Sequence, residues 1–352
     1  MKDEGEDQPS NNHLSDYSSS RTEFDFINRI RQRTIQSDHS SILLGIGDDA
    51  AVVQSQPNKD TVVSTDLLIE DVDFRRTATT PALLGRKSLG VSLSDIAAMG
   101  ARPRWALLSI GVPEDVWKTQ FVDEFYDGLL ALAQHYDVQL VGGDTSRTPE
   151  KIVIDSIVMG DCPNAAAITR GGAKPGDQIF VTGQLGAAAA GLRLIERGAH
   201  LSEGSDDLHL IDQLVLRHLR PEPRVGWGIV LGQERLATAM IDLSDGLSSD
   251  LNHLCEASHV GALLESSAIP IDDNVIEICG RRALDPLQLA LHGGEDFELL
   301  FTVNPGDVSK LPRRVDGVSV TRIGEIKNAT HGVQISEGTR VWELQPRGWR
   351  HF

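Results

Sequence analysis

Carboxylates and hydroxyls are gathered at the ends of two predicted strands early in the chain: Asp48, Asp49, Ser64, Thr65 and Asp66. The first two precede the apolar run Ala50–Val53, and the other three end the β-branched run that begins at Thr61. We predict that these strands are antiparallel neighbours joined by the turn Gln54–Asp60, which would bring their polar ends together. Oxygen ligands of this kind suit magnesium. Asp48 and Asp49 could instead only begin a turn, but similar acidic motifs recur downstream.

One such motif follows a short apolar strand predicted at Val138–Val141. It reads Gly142-Gly143-Asp144-Thr145-Ser146-Arg147. Glycines at a strand end let the backbone approach a phosphate closely, and Asp144 could hold a metal ion there. The motif therefore favours a site for a metal-bound phosphate.

Two further acidic motifs lie in the second half of the chain. Asp242 ends the predicted strand Thr238–Leu243, and Asp245 lies just before a predicted helix. An acidic residue before a helix can simply cap it, which explains Asp245 but not Asp242. The other motif, His292–Leu300, carries Glu295 and leads into another predicted strand.

A helix predicted from about Ala82 to Met99 places Lys87, Val91 and Asp95 on one face. Lys87 and Asp95 could form a surface salt bridge. The small apolar residues beside Asp95 indicate close packing instead, which favours a functional site.

So many carboxylates cannot all stay ionised close together without cations, and a magnesium-bound polyphosphate fits such a site. The chain has no nucleophile elbow in Ser-His-Asp order, no histidine cluster for zinc, and no protein-kinase lysine and catalytic-loop set. Phosphoryl transfer that relies on positioning and metal charge needs none of these parts.

The composition argues against several classes of partner. The 352 residues carry 33 Lys and Arg against 51 Asp and Glu, a formal net charge of -18, which repels nucleic acid and anionic membrane surfaces. No apolar run is long enough to span a bilayer, and the N-terminus lacks a signal-peptide pattern. The cysteines are few and scattered, which fits a reducing compartment. We expect a cytoplasmic protein without nucleic-acid or membrane partners.

The chain is long enough for two domains. Residues 1–20 are polar and acidic, and we predict that they form a disordered tail. The stretch Asp161–Asp177 is rich in small residues and reads as a junction, so we predict domains at 21–161 and 162–352. An amphipathic helix is predicted at Glu114–Tyr136. The glycine-rich turn before the predicted helix Gly186–Arg197 is a weak phosphate signal.

Seven stretches taken together resemble the thiamine-monophosphate kinases, members of the aminoimidazole-ribonucleotide-synthetase-like superfamily. They are GIGDDAAVV (45–53), STD (64–66), GRKSLGVSLSDIAAMGARP (85–103), QLVGGDT (139–145), TRGGAKPGD (169–177), IDLSDGLSSDL (241–251) and GGEDFELLFTV (293–303). These stretches cover nearly all of the chain after the tail, in the family's order.

The resemblance implies a two-domain α/β (α+β) fold. An N-terminal mixed-sheet domain would bind metal and ATP and pair across a homodimer, and a C-terminal α/β domain would follow. The implied reaction is the ATP- and magnesium-dependent phosphorylation of thiamine monophosphate to thiamine diphosphate. An ionised acceptor phosphate needs no general base, but it repels the phosphate that it attacks, and several magnesium ions would relieve this repulsion.

The resemblance also assigns roles by motif. The implied magnesium ligands are Asp49, Ser64, Thr65, Asp66, Asp95, Asp144, Asp242 and Asp245. The implied ATP contacts are Gly143, Asp144, Arg170 and Ser244. The implied substrate contacts are Asp73, Glu295 and Trp349, and an aromatic ring and a carboxylate suit the cationic thiazolium of thiamine.

Asp73 departs from the family pattern, which usually has at this place a histidine that is expected to touch the substrate phosphate. An ionised aspartate cannot donate to a phosphate. We expect Asp73 to turn away and a nearby cation, Arg75, Arg76 or Lys87, to take over. A bridging magnesium ion and a mobile loop are the alternatives.

Other functions within and beyond the superfamily fit less well. A selenophosphate synthetase would need a reactive Cys or selenocysteine near the N-terminus, and the first cysteine here is Cys162. A hydrogenase-maturation relative would end in cysteine, whereas this chain ends in Phe352. An aminoimidazole ribonucleotide synthetase would lack the motif Asp242–Gly246 in this form. A magnesium-dependent phosphohydrolase and a non-catalytic nucleotide sensor remain as alternatives of a different class.

Overall fold

The structure is a computed structural model that describes residues 23–34, 41–44, 46, 51–201, 209–282 and 284–348. The predicted tail 1–20 lies outside the described residues. So do Asp48 and two of the predicted site residues, Asp49 and Trp349.

The described residues form two main sheets and the helices around them. The strands are β1 (Ile42–Leu44), β2 (Val52–Val53), β3 (Lys59–Ile69), β4 (Arg102–Val112), β5 (Gln139–Arg147), β6 (Val153–Pro163), β7 (Gln178–Thr182), β8 (Ala237–Asp242), β9 (Val260–Glu265), β10 (Leu299–Val303), β11 (Arg314–Val315), β12 (Val318–Asn328), β13 (Val333–Glu337) and β14 (Arg340–Glu343). The α-helices are α1 (Glu23–Thr34), α2 (Pro81–Ala98), α3 (Glu114–Trp117), α4 (Phe121–His135), α5 (Ala187–Glu196), α6 (Leu210–Leu219), α7 (Val225–Gln233), α8 (Leu247–Ser258), α9 (Asp273–Arg282) and α10 (Pro286–His292). Short 3₁₀ helices lie at Arg76–Ala78, Ser266–Ala268, Val308–Lys310 and Ala329–His331.

The first sheet has the strand order β3-β6-β4-β5, in which β4 and β5 are parallel and the other neighbours are antiparallel. Helix α2 packs on β3, β4 and β6, and α4 packs on α2 and β5. Along β3 the side chains alternate, so that Ser64 and Asp66 are half-buried while Val63, Thr65 and Leu67 are exposed. One face of this sheet is therefore covered by helices, and the edge strand β3 exposes apolar side chains on the other.

Helix α2 confirms the predicted helix and lies between the two sheets, since it contacts both β3 and β8. It begins at Pro81 because the Thr80 hydroxyl accepts a hydrogen bond from the Leu83 amide at 3.2 Å. Its packing on α4 depends on glycine. A Cβ on Gly128 of α4 would lie 1.8 Å from the Ala82 carbonyl oxygen, so only glycine lets the two backbones approach this closely.

The second sheet has the order β14-β13-β9-β12-β7-β10-β8, and β11 pairs with β12 at its side. Strands β13 and β9 are parallel, and the other neighbours are antiparallel. Every residue of β10 is buried, and Phe301 of β10 stacks on Phe180 of β7. One apolar core extends from this sheet through α2 to the first sheet, which fixes the position of α2 against both.

The predicted pairing of the first two strands is wrong. Among the described residues β2 pairs with β1, and β3 pairs with β6 along its whole length. The Gln54 amide donates to the Ser41 carbonyl at 2.7 Å, which continues the β1–β2 pairing beyond the strands. The turn Gln54–Asp60 therefore leads from one sheet to another and does not close a hairpin.

Two further element predictions are corrected. The helix predicted at Glu114–Tyr136 is broken into α3 and α4. The Thr119 hydroxyl donates to the Val116 carbonyl at 2.7 Å and accepts from the Phe121 amide at 3.2 Å, so it ends one helix and starts the next. The strand predicted at Val138–Val141 continues through the glycines to Arg147, because β5 pairs with β4 over that length.

None of the helices in the described part of the chain has the length and apolarity needed to span a membrane.

Candidate active site

Three carboxylates lie around helix α2: Asp66 of β3, Asp95 of α2 and Asp242 at the end of β8. Each accepts a hydrogen bond from a serine hydroxyl: Asp66 from Ser92 (2.7 Å), Asp242 from Ser94 (2.7 Å) and Asp95 from Ser64. We call these three residues the acidic cluster. The packing of α2 between the sheets brings the cluster together from three elements that are far apart in sequence.

Among the described residues, the positive charge near the acidic cluster is too small to keep its carboxyl groups at their ordinary pKa values. Burial and then the charge of Asp95 raise the pKa of Asp66 to about 6. Burial and Asp95 raise the pKa of Asp242 to about 7, although Arg170 acts in the opposite direction. Burial also raises the pKa of Asp95, against the effects of Ser64 and Arg170. A bound cation would stabilise the ionised forms, so the cluster has the electrostatics of a cation site.

A fourth acid, Asp250 of α8, holds the turn beside the cluster. Its Oδ2 accepts hydrogen bonds from the Asp245 amide at 3.1 Å and the Gly246 amide at 2.9 Å. Burial, followed by the charges of Asp242 and Asp245, raises its pKa to about 8. The sequence analysis missed Asp250. The available signal was an acid four residues after a turn glycine, the place from which a side chain can reach back to the free amides of a helix start.

Glu295 is held by two buried partners at the other side of the site. Its Oε1 lies 2.7 Å from Lys87 Nζ, and its Oε2 lies 2.8 Å from His218 Nδ1. Burial alone would raise the pKa of Glu295, but the charge of Lys87 and then the interactions with His218 lower it to about 2. Glu295 is therefore ionised at neutral pH. Its partner His218 was not identified from the sequence.

A cavity of about 500 Å³ extends from the acidic cluster to Glu295. Its lining includes Asp66 of the acidic cluster, Glu295, and the apolar side chains of Leu192 and Leu289. Ser244 also lines it, and the Ser244 carbonyl accepts a hydrogen bond from the Glu295 amide at 2.8 Å. A second cavity of about 550 Å³, lined by Tyr136 and other residues, contains none of the predicted site residues.

Two of the predicted ligands lie away from the acidic cluster. The exposed side chain of Thr65 points to the opposite face of β3, where its hydroxyl donates to Asp155 at 2.7 Å. Asp144 of β5 pairs with Ser109 of β4, which in turn pairs with Asp155 of β6. Asp144 therefore lies on that same outer face. Three strand spacings, about 14 Å, separate β3 from β5. Within one chain, the described structure does not bring Asp144 to Asp66.

The remaining predicted residues occupy several places. Gly143 precedes Asp144 on β5, and Arg170 lies close enough to Asp95 and Asp242 to affect their pKa values. Asp73 lines the cavity, but its Oδ2 accepts a hydrogen bond from the Ile69 amide at 2.8 Å.

The weak phosphate signal at the start of α5 has another explanation. Buried Asp296 accepts hydrogen bonds from the Gly186 amide at 2.7 Å and the Ala188 amide at 3.2 Å. Its carboxylate occupies the helix N-terminus that a phosphate would need, so the prediction of a phosphate site there is corrected.

The donor set fits magnesium. Among the residues that the structure describes, no three acidic, histidine or cysteine side chains converge closely enough to hold an ion by themselves. The acidic cluster supplies only oxygen atoms, and magnesium commonly combines one or two carboxylates with water and substrate phosphates. A metal site there would therefore depend on the bound nucleotide or on residues outside the described range.

Comparisons with known proteins agree on one family. Residues 47–162 match the AIR synthase related protein, N-terminal domain, and residues 174–336 match the C-terminal domain of the same family. The thiamine-monophosphate kinase of Bacillus subtilis (strain 168) is 37% identical, with 94% of this chain and 99% of that protein covered. That of Escherichia coli (strain K12) is 38% identical, covering 94% of this chain and 98% of that protein.

Solved structures of similar proteins share the fold. The thiamine-monophosphate kinase from Stenotrophomonas maltophilia K279a is 39% identical with a TM-score of 0.78, covering 89% of this chain and 96% of that one. AaThiL complexed with AMPPCP and TMP is 33% identical with a TM-score of 0.75, covering 95% of this chain and all (100%) of that one.

Proposed function

Because the chain belongs to the AIR synthase related family and to its thiamine-monophosphate kinases, we propose that it phosphorylates thiamine monophosphate to thiamine diphosphate with ATP. It is an ATP phosphotransferase with a phosphate group as acceptor, and the reaction is the last step in making thiamine diphosphate. A relative that binds AMPPCP and TMP in one structure supports direct transfer between the two substrates.

The observation that carries this proposal is that Asp66 of the acidic cluster and an ionised Glu295 line the same cavity. The cluster suits the cation that accompanies a polyphosphate, and Glu295 suits the cationic thiazolium. The apolar side chains of Leu192 and Leu289 in the same cavity suit the rings of thiamine. The acceptor phosphate is already ionised, so the chain has to position and shield it and does not have to remove a proton.

We assign magnesium to the acidic side of the site. By family motif, the residues that would hold it are Asp49, Ser64, Asp66, Asp95, Asp242 and Asp245, whereas Thr65 and Asp144 lie on the outer face of the first sheet and do not reach the acidic cluster within one chain. When bound, magnesium would neutralise the charge shared by the two phosphates that react. The three serines bond the carboxylates of the acidic cluster, and Asp250 holds the backbone of the turn that carries Asp245.

The substrate contacts remain proposals by family motif. Gly143, Asp144, Arg170 and Ser244 would contact ATP, and Asp73, Glu295 and Trp349 would lie at the thiamine side. The side chain of Asp73 is bonded to the Ile69 amide, Arg76 pairs with Glu70 at 3.0 Å, and Lys87 pairs with Glu295. Arg75 is exposed and makes no ion pair within the described residues, so it is the cation that we assign to the substrate phosphate.

We further propose a homodimer and a cytoplasmic location. Val63 and Leu67 on the outer face of the first sheet are 60% and 55% exposed, which is unusual for apolar side chains in the middle of a strand. A second copy on that face would cover them. In such a dimer the outer faces of the two copies would lie opposite each other. Asp144 of one copy could then approach Thr65 of the other.

A coupled assay for ADP tests the proposed reaction. ADP should form only when thiamine monophosphate and magnesium are both present. Asp66→Asn and Asp242→Asn should each reduce turnover by roughly 100-fold or more, the scale of a lost electrostatic stabiliser. Equal ADP formation without the acceptor would reject the kinase, and phosphate release from thiamine monophosphate without ATP would favour the phosphohydrolase.

A further inference from the structure

The segment between α10 and β10, residues 293–298, carries three acids that different elements hold. Asp296 is bonded to the start of α5. Glu298 is fully buried and is bound by the Arg224 guanidinium and by the Thr182 hydroxyl at 2.7 Å. Glu295 contacts Lys87 of α2 and His218 of α6. Asp296 and Glu298 thus anchor the segment in the fold, and Glu295 alone of the three lines the cavity.

Glu295 sits in an unfavourable backbone conformation that its surroundings must maintain. Its φ is 63°, in the left-handed region, and Phe297 two residues on has a φ of 49°. Non-glycine residues in this region cost of order 1 kcal/mol or more, and they persist only where the surrounding contacts fix them. Contacts on the side chain of Glu295 therefore bear directly on where its carboxylate points.

Both partners of Glu295 are buried. The side chains of Lys87 and His218 are 3% and 7% exposed. Lys87 Nζ and His218 Nδ1 lie 2.7 Å and 2.8 Å from the Glu295 carboxylate, and among the described residues neither nitrogen makes a well-aligned hydrogen bond to another group. Burial, then the charge of Lys87, lowers the pKa of His218, so the ring is neutral at neutral pH and Nδ1 carries the proton that faces the carboxylate.

We propose that Lys87 and His218 are positioning residues, which hold the Glu295 carboxylate as an anion and aim it into the substrate cavity. This inference rests on the proposed function, in which Glu295 meets the thiamine moiety. Each carboxylate oxygen has a second acceptor site, so Glu295 can contact a ligand while it keeps both partners. Lys87 is thereby removed from the cations that could bind the substrate phosphate.

The first experiment compares two substitutions of His218. His218→Asn keeps an N–H donor near the place of Nδ1, whereas His218→Leu is of similar size and has no donor. We expect His218→Leu to raise the KM for thiamine monophosphate about tenfold, the scale of one lost charge-assisted contact, with kcat and the KM for ATP nearly unchanged. His218→Asn should stay within about threefold of the wild-type KM.

A matched control lies at the start of the same helix. His209 precedes α6, is exposed, and its side chain makes no capping hydrogen bond. His209→Leu should leave the KM for thiamine monophosphate unchanged. Equal KM values in His218→Leu and wild type, or equal increases in the Leu and Asn variants, would overturn the proposal.

The second experiment is a double-mutant cycle between Lys87 and Glu295. Lys87→Met and Glu295→Gln should each raise the KM for thiamine monophosphate about tenfold. The double variant leaves no unpaired charge and should be no worse than Glu295→Gln alone, because Lys87 acts only through Glu295. KM increases that multiply, or no increase in Glu295→Gln, would overturn the proposal. This cycle decides the matter if His218→Leu does not fold.

The wild-type enzyme separates this inference from the proposed function. No ADP formation that depends on thiamine monophosphate in the wild type would reject both. Normal wild-type activity with an unchanged KM in the positioning variants would reject the inference alone.

Discussion

At the residue scale, a serine hydroxyl from a neighbouring element bonds each acid of the acidic cluster. The motifs identified Asp66, Asp95 and Asp242, because each lies in a distinctive pattern at a strand end or on a helix face. Ser92 and Ser94, which bond two of them, and the partner His218 lie in ordinary helical sequence. Their roles depend on which helix faces which strand, and single-sequence patterns do not specify that.

The raised pKa values of Asp242 and Asp250 predict how the stability of metal-free protein depends on pH. These groups keep their protons to about pH 7 and pH 8 in the folded state, whereas the unfolded chain loses them near the ordinary value of 3.8. The folded state therefore binds more protons above pH 4, and the free energy of unfolding should fall as pH rises from 6 to 8. The pKa of His218 is lowered in the folded state. His218 therefore makes the free energy of unfolding rise with pH, but only below its ordinary pKa of about 6.5.

Thermal unfolding in a chelator at pH 6, 7 and 8 measures this effect. Asp250→Asn, which removes one of the two acids and is not a proposed ligand, should make the slope shallower. Added magnesium should flatten it further, because a bound cation favours the ionised carboxylates. A melting temperature that rises steadily from pH 6 to 8 without metal contradicts the account.

A second prediction at the residue scale concerns Arg75, the cation proposed to bind the substrate phosphate. Arg75→Ala should raise the KM for thiamine monophosphate about tenfold, the effect of one lost charge-assisted contact. Arg76→Ala is the matched control, since Arg76 is paired with Glu70. Asp73→Ala should leave the KM unchanged or lower it. A large loss of substrate affinity in Asp73→Ala that excess magnesium restores would instead indicate a bridging metal ion.

At the element scale, long periodic segments were predictable and their partners were not. Helix α2 and strand β10 lie where apolar pattern and capping residues put them. The pairing of β3 with β6 joins residues about 90 positions apart, and no local turn signal reports it. The break between α3 and α4 depends on Thr119, whose hydroxyl competes for backbone partners within an otherwise helical pattern.

The contact between α2 and α4 gives an element-scale prediction. Gly128→Ala should destabilise the protein by about 1–3 kcal/mol or more, because the new Cβ would overlap the Ala82 carbonyl and push α2 away from α4. Gly280→Ala on α9 is the control, since no atom lies within 4 Å of the added Cβ, and it should be neutral or stabilising by up to about 1 kcal/mol. Urea unfolding measures both. Equal stabilities for Gly128→Ala and wild type would contradict this packing.

At the scale of the whole molecule, the fold class and the two-domain family were predictable from the seven motifs. The motifs did not predict that the site residues are divided between the two faces of the first sheet. Asp66 faces α2, while Thr65 and Asp144 face outward. This division follows from strand alternation and strand order. Sequence spacing reveals the alternation along β3, but it does not reveal that β5 lies at the far edge of the sheet.

The proposed dimer can be tested on its exposed face. Light scattering at micromolar concentration should give the mass of a dimer. Leu67→Glu, on the outer face of β3, should shift the protein towards monomer because it buries an unpaired charge in the interface. Val341→Glu on β14, a side chain of similar exposure at 53% against 55%, should remain dimeric. A monomeric wild type would remove the dimer from the account.

The most direct test of the central claim follows the phosphate itself. The chain is incubated with magnesium, thiamine monophosphate and ATP labelled in its γ-phosphate, and the products are separated. Direct transfer predicts that the label appears in thiamine diphosphate, with one ADP for each labelled product, and that omitting thiamine monophosphate abolishes ADP formation. Label recovered as inorganic phosphate, at a rate that does not depend on thiamine monophosphate, would contradict it.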